Sequence, residues 1–319
     1  MLGEFALIKE YFAKHDKGQG IILGIGDDCA LIAPKADYEL AITTDTLNEG
    51  IHFFKGEDPF YLGYKSLLVN ISDLAAMGAK PAFFTLSLTM PDANETFLKD
   101  FSRGLFLLAQ QENMALIGGN TSKGPLSITI SAYGYVPKGE AMRRDLACIG
   151  DDIYVTGNLG MGGLFVKAGY KEITLDKDTY NSVHEKAQLI PSRTSFARAL
   201  RRISRCALDI SDGTVGDLRH ILECSNVGAV LNLDKLPLDE CFSKVNLSVL
   251  SKAELAAFGG CDYELLFTLK PKNTSLLEKI ADSQKVKITK VGKITATKTL
   301  ELLYSDIPYT QVQKAFEHF

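Results

Sequence analysis

The chain has 319 residues, 46% of them apolar, enough for about two domains with real cores. A net charge of -4 with scattered Lys and Arg excludes a polyanion-binding surface as the main task, so no nucleic-acid partner is expected. No apolar run approaches the roughly 20 residues of a membrane span, and six scattered cysteines without a C-x-x-C spacing argue against a zinc or redox centre and fit a reducing cytoplasm.

Residues 3–12 predict an amphipathic helix with Phe5, Ile8 and Phe12 on one side. Ile21 to Leu23 predict a short strand running into Gly24-Ile25-Gly26-Asp27-Asp28. The glycines let the backbone turn sharply, and the two acids then point in different directions; an ordinary polar turn has the same look. Tyr38 to Ile42 predict a strand that ends in Thr43-Thr44-Asp45-Thr46. Hydroxyls beside a carboxylate suit an oxygen-seeking cation such as magnesium, and they suit a helix cap equally well. His52 reads either as a structural group or, through its closeness to Asp45, as a substrate contact.

Asp58 and Pro59 open a long helix to Met77, as N-cap and first helical residue. Leu67, Leu68, Ile71, Leu74, Ala75 and Gly78 recur at three and four residues along it. Asp73 interrupts that apolar face, and a carboxylate among small packed residues is costly unless a cation or donors meet it. A strand is expected over 81–90, a helix over 94–110 and a strand over 115–117 ending at Gly118-Gly119-Asn120-Thr121. A further strand is expected over 126–136.

A connector over 137–150, with Arg143 and Arg144, divides the chain into expected domains 1–137 and 138–319. A strand over 152–157 then runs into Leu159-Gly160-Met161-Gly162-Gly163, which opens a helix. Such a turn either cradles phosphate or simply permits close packing. Helices follow over 180–187 and 195–203. Ala207 to Gly213 forms a strand and tight turn into a helix over 214–224, placing Asp209 and Asp212 where phosphate can reach backbone N–H groups. A strand over 227–233, a loop from Phe258 into a strand ending at Thr268, a helix over 275–282, strands over 286–291 and 300–304, and a terminal helix over 309–316 complete the chain. The fold class is α/β of the α+β type, with two mixed α/β domains.

Asp27, Asp28, Asp45, Asp73, Asp209 and Asp212 all sit beside strand or helix ends and glycine-rich turns. A pocket holding several of them must bind cations, since two carboxylates about 4 Å apart repel by roughly 4 kcal/mol at an effective dielectric of 20. With no Cys/His partners, magnesium leads. Magnesium on carboxylates points to phosphoryl transfer from a nucleotide, with a two-metal hydrolase as the rival.

These motifs, taken in order with Asp262-Tyr263-Glu264-Leu265, closely resemble the thiamine-monophosphate kinase family of the aminoimidazole-ribonucleotide-synthetase-like superfamily. The resemblance implies direct in-line transfer from ATP to thiamine phosphate, with several magnesium ions. It also implies an N-terminal domain that dimerises through its sheet, a C-terminal domain completing the active site, and a cytoplasmic homodimer. By the same resemblance, Asp28, Thr43, Thr44, Asp45, Asp73, Asn120, Asp209 and Asp212 take metal, with Asp73 and Asp212 central to metal-assisted transfer. Gly119, Asn120, Arg144 and Ser211 meet ATP, and His52, Cys261 and Phe316 meet the thiamine end.

Asn120 stands where the family usually has a metal-binding Asp, and Cys261 where it usually has a Glu. Asn offers one charge fewer to magnesium, and a neutral thiol does not replace a carboxylate's hydrogen bonds. The alternatives are another ATP-dependent synthase of the superfamily, or a catalytically weakened nucleotide-binding regulatory protein.

Overall fold

The structure, a computed structural model, describes residues 4–13, 18–23, 25 and 30–311. The expected site residues Asp27, Asp28 and Phe316 therefore lie outside the described residues, as does most of the helix expected over 309–316. The chain forms two compact units, one of residues 1–74 and 79–139, the other of residues 75–78 and 140–319.

The first unit contains α1 (Glu4–Tyr11), β1 (Ile21–Leu23), β2 (Leu31–Ile32), β3 (Tyr38–Asn48), α2 (Pro59–Ala76), β4 (Lys80–Met90), α3 (Glu95–Gln111), β5 (Ala115–Lys123) and β6 (Ser127–Pro137). Its main sheet runs β3-β6-β4-β5, with β4 and β5 parallel and the other pairs antiparallel. The helix starts follow the sequence. Asp58 Oδ1 accepts the Phe60 N–H at 2.8 Å, and Asn94 Oδ1 accepts that of Phe97 at 3.0 Å. Helices α2 and α3 touch backbone to backbone: a Cβ on Gly63 would lie 2.0 Å from the Phe101 carbonyl oxygen, and one on Gly104 would lie 1.9 Å from that of Phe60. Leu98, Phe101, Leu105 and Leu108, which recur at three and four residues on α3, are fully buried. Each such side chain contributes about 1.5–3 kcal/mol of burial.

Two strands run further than the sequence suggests. β3 continues through Thr43, Thr44 and Asp45 to Asn48, because β6 pairs with it from Tyr38↔Pro137 to Asn48↔Ser127. Cross-strand hydroxyl pairs tie this extension, Thr44 to Ser131 at 2.8 Å and Thr46 to Thr129 at 2.9 Å. β5 likewise continues through Gly119 and Asn120, since β4 offers a parallel partner out to Met90↔Lys123. The acids and hydroxyls expected at strand ends thus lie within strands.

The second unit contains β7 (Asp152–Thr156), α4 (Met161–Gly169), α5 (Lys177–Gln188), α6 (Thr194–Leu200), β8 (Cys206–Asp209), α7 (Thr214–Ser225), β9 (Gly228–Asn232), α8 (Val249–Phe258), β10 (Leu265–Leu269), α9 (Thr274–Gln284), β11 (Ile288–Thr295), β12 (Leu300–Tyr304) and β13 (Ile307–Pro308). Its seven-stranded sheet runs β13-β12-β9-β11-β7-β10-β8. Strand alternation feeds two cores. Ile153 and Val155 pack with Leu218 and Ile221 of α7 and Ala256 of α8, while Tyr154 and Phe267 pack with Phe196 of α6 and Leu277 of α9. Helix α8 is unassigned in the sequence reading, although Ser248 caps it through the Ser251 N–H at 3.0 Å. Residues 309–311 are not helical, and the Tyr309 N–H instead bonds the Leu302 carbonyl at 2.8 Å.

Candidate active site

In the first unit the alternation of β3 sorts the expected residues onto two faces. Thr43 and Asp45 point toward α2, where the Thr43 hydroxyl donates to the Asp73 carboxylate. Burial, and then the charge of Asp73, push the Asp45 carboxyl up to about 6. One turn before Asp73, Asn70 is fully buried; its amide nitrogen donates to the Ser66 carbonyl at 3.3 Å, while its Oδ1 has no partner. Two crowded carboxylates and a hydroxyl form an oxygen-only set. That set fits a hard cation.

Thr44 faces the opposite side, where its hydroxyl is paired with Ser131. Asn120 also belongs to that side by register, since it stands opposite Ser87, and Ser87 stands opposite Thr129. The structure therefore joins Thr43, Asp45 and Asp73, and it does not bring the side chains of Thr44 and Asn120 to them. Gly119 lies against β4 at φ +154, and a Cβ there would sit 1.8 Å from the Leu86 carbonyl oxygen, so no other residue fits. His52 occupies the turn after β3, and its Nδ1 accepts the Asn48 N–H at 3.0 Å. Nε2 then carries the proton of the neutral ring.

In the second unit Asp209 ends β8, and Ile210 to Gly213 turn the chain into α7. The next strand's approach clamps this loop: the Cys261 N–H donates to the Ser211 carbonyl at 2.7 Å and the Tyr263 N–H to that of Ile210 at 2.8 Å. Cys261 and Tyr263 hold φ of 57° and 48°, so two non-glycine residues adopt the left-handed region beside Ser211. Such conformations persist only where surrounding structure enforces them. Asp217, which sequence reasoning missed, accepts the N–H groups of Ser211 and Asp212 at 3.0 and 3.1 Å. Burial and the charge of Asp212 push its carboxyl up to about 7. Ligating atoms of Asp212, Asp217 and His220 lie within 4.8 Å of one another. Arg144 is exposed in the connector.

The turn at Ser211, expected to present N–H groups to phosphate, and the glycine-rich turn at Gly160, which read as either a phosphate cradle or a packing turn, are both closed by the protein's own acids. Asp217 takes the N–H groups of the 211–213 turn. Asp262 takes those of Gly160 and Gly162, at 2.8 and 3.2 Å, in the glycine-rich turn before α4. The packing reading of that turn is the correct one. Its sequence signal was the acid directly after Cys261, in a segment rich in apolar neighbours. Cys261 itself lines a cavity of about 650 Å³ with Met161, Lys186, Arg193, Glu264 and Lys287.

Burial, opposed by the surrounding backbone N–H groups, pushes the Asp262 carboxyl up to about 7 from 3.8. The folded chain thus holds a proton that the unfolded chain releases near pH 4, and the associated stability is lost as pH rises toward 7. In Asp262→Asn this slope is absent. Between pH 5 and 8 the variant is expected to gain on the wild type by on the order of 1–4 kcal/mol in urea unfolding. Parallel pH profiles would contradict the assignment.

Against known proteins, the family model "AIR synthase related protein, N-terminal domain" matches residues 26–136, and its C-terminal counterpart matches residues 149–305. The chain is 41% identical over 322 residues to the thiamine-monophosphate kinase of Escherichia coli K12, covering 99% of this chain and 98% of that protein. It resembles the crystal structure of thiamine-monophosphate kinase from Stenotrophomonas maltophilia K279a with a TM-score of 0.86 at 40% identity, over 94% of this chain and 96% of that one. It resembles AaThiL complexed with AMPPCP and TMP with a TM-score of 0.77 at 26% identity, over 90% and 89% of the two chains.

Proposed function

The chain belongs to the AIR synthase related family and, within it, to the thiamine-monophosphate kinases, and from that premise we propose how its own residues serve the reaction. The enzyme transfers the terminal phosphoryl group of ATP to thiamine phosphate, giving ADP and thiamine diphosphate. The observation that carries the residue assignment is the oxygen-only cluster of Thr43, Asp45 and Asp73.

Magnesium is the cation we assign to this chemistry. Thr43, Asp45 and Asp73 would hold it in the first unit, and Asp209 and Asp212 would hold it in the second. When bound, such an ion would supply positive charge to offset that of the phosphates. The remaining work is positioning. In the second unit the Ser211 hydroxyl and Arg144 orient the nucleotide. The cavity beside Cys261, within the second unit, has room for the thiamine rings. The acceptor oxygen is an ionised phosphate, so no side chain need remove a proton before transfer. Purified protein given ATP, magnesium and thiamine phosphate is expected to form thiamine diphosphate; ATP binding without that product would sink the reading.

A homodimer and a cytoplasmic location belong to the same proposal. The face of the first unit's sheet away from α2 exposes Leu40 and Ile42, at 46% and 62%, among paired hydroxyls. Covering such a face is a standard reason to associate. Sedimentation equilibrium is expected to give twice the 34.9 kDa chain mass, and Ile42→Lys to give the single chain. A monomeric wild type would overturn the dimer. Cys148, Cys206, Cys224, Cys241 and Cys261 are free thiols, which supports a reducing compartment.

A further inference from the structure

Asp217 is the fourth residue of α7, and its own N–H makes an ordinary helical bond to the Gly213 carbonyl at 2.9 Å. Its side chain, however, reaches back past the start of the helix. There a single oxygen, Oδ2, accepts two consecutive backbone N–H groups, those of Ser211 and Asp212. The residue is 4% exposed. One acceptor shared by two successive N–H groups fixes two peptide planes together, and with them the directions in which the Ser211 and Asp212 side chains leave the backbone. The far edge of the same loop is fixed by the Cys261 and Tyr263 N–H groups. The loop is therefore clamped on both sides, and Asp217 is the clamp contributed by the helix.

We infer that Asp217 is a positioning residue for phosphoryl transfer, holding Ser211 and Asp212 in the orientation that the nucleotide and its metal require. It acts through the placement of its acceptor oxygen rather than through its charge. The inference rests on the kinase reading, in which Asp212 meets metal and Ser211 meets ATP. No role in that reading falls to Asp217 itself, and with its oxygen occupied by two backbone donors it is a support for the site.

Two substitutions separate geometry from charge. Asp217→Asn keeps a carbonyl acceptor at the same reach and removes the charge, whereas Asp217→Ala removes both. Manganese binding to the full chain in the presence of a non-hydrolysable ATP analogue, followed by electron paramagnetic resonance, reads the site without turnover. The magnesium dependence of thiamine diphosphate formation reads it with turnover. Asp217→Ala is expected to weaken manganese binding and to raise the half-maximal magnesium concentration by about 10–100-fold, with Asp217→Asn staying within about threefold of wild type. A purely structural role would lower thermal stability in Asp217→Ala and leave the metal dependence alone, and that result would overturn the inference. Equal impairment in Asp217→Asn and Asp217→Ala would overturn it too, since charge would then be the cause. If Asp217→Ala does not fold, Asp217→Ser, which stays polar but falls short of both N–H groups, takes its place. A wild type that binds manganese with the analogue yet forms no thiamine diphosphate would refute the kinase reading, while the manganese comparison would still decide this one.

Discussion

Asp73→Asn is expected to lower turnover on the order of 10³-fold at limiting magnesium while leaving the protein folded. The carboxylate of Asp73 accepts the Thr43 hydroxyl and raises the pKa of Asp45 by its charge. An amide of the same shape keeps an oxygen for Thr43 and abolishes the repulsion with Asp45. Folding stability should therefore hold or rise, and the Asp45 carboxyl should move back toward its ordinary range. What the amide loses is the charge that draws a hard divalent cation. Excess magnesium should recover part of the activity, since the defect is one of binding. Turnover near that of wild type at limiting magnesium, or loss of the fold, would contradict this account of Asp73.

The largest effect on stability is expected at the ion pair between Arg193 and Glu264. The guanidinium makes two parallel bonds to the carboxylate, each of 2.5 Å, and the side chains are 13% and 5% exposed. The Thr156 hydroxyl donates to the same carboxylate at 2.5 Å and accepts the Leu265 N–H at 2.8 Å, so the pair is tied to β7 and β10. Glu264→Ala removes the carboxylate that two bonds hold against a mostly buried guanidinium, at a cost of about 3–5 kcal/mol. For a chain of this size that lowers Tm by roughly 4–8 °C. Replacing both members together should cost less than Glu264→Ala alone, because the buried guanidinium then leaves with its carboxylate. Equal losses in the single and double variants, measured by calorimetry, would show that the pair's charges are not the reason.

Most of the helices could be read directly from period and caps. Asp58, Asn94 and the 3.6-residue spacing of Leu98, Phe101, Leu105 and Leu108 are local signals, and local signals survive folding. The ends of β3 and β5 could not be read in this way. Their extensions are set by partner strands distant in sequence, and Asp45, Asn48, Gly118, Gly119 and Asn120 are poor strand formers until β6 or β4 lies beside them. The site shows the same division. The Thr43-Asp45-Asp73 cluster follows from acids and hydroxyls that stand out in the sequence against apolar and glycine-rich neighbours. The separation of Thr44 and Asn120 from that cluster follows from the two-residue alternation of a strand, once the strand is known to pass through them. The glycine-rich turn at Gly160 and the turn at Ser211 both look like anion sites in sequence. Each already holds an internal carboxylate, from Asp262 or Asp217, and only the fold reveals which.

The most direct measurement follows the label from ATP carrying radioactive phosphorus at its terminal phosphate, with thiamine phosphate and magnesium present. Direct transfer places the label in thiamine diphosphate, one for each ADP formed, and none of it appears there when a chelator removes the metal. Label released as inorganic phosphate with no labelled thiamine diphosphate would contradict the account, as would label transfer that persists without divalent metal.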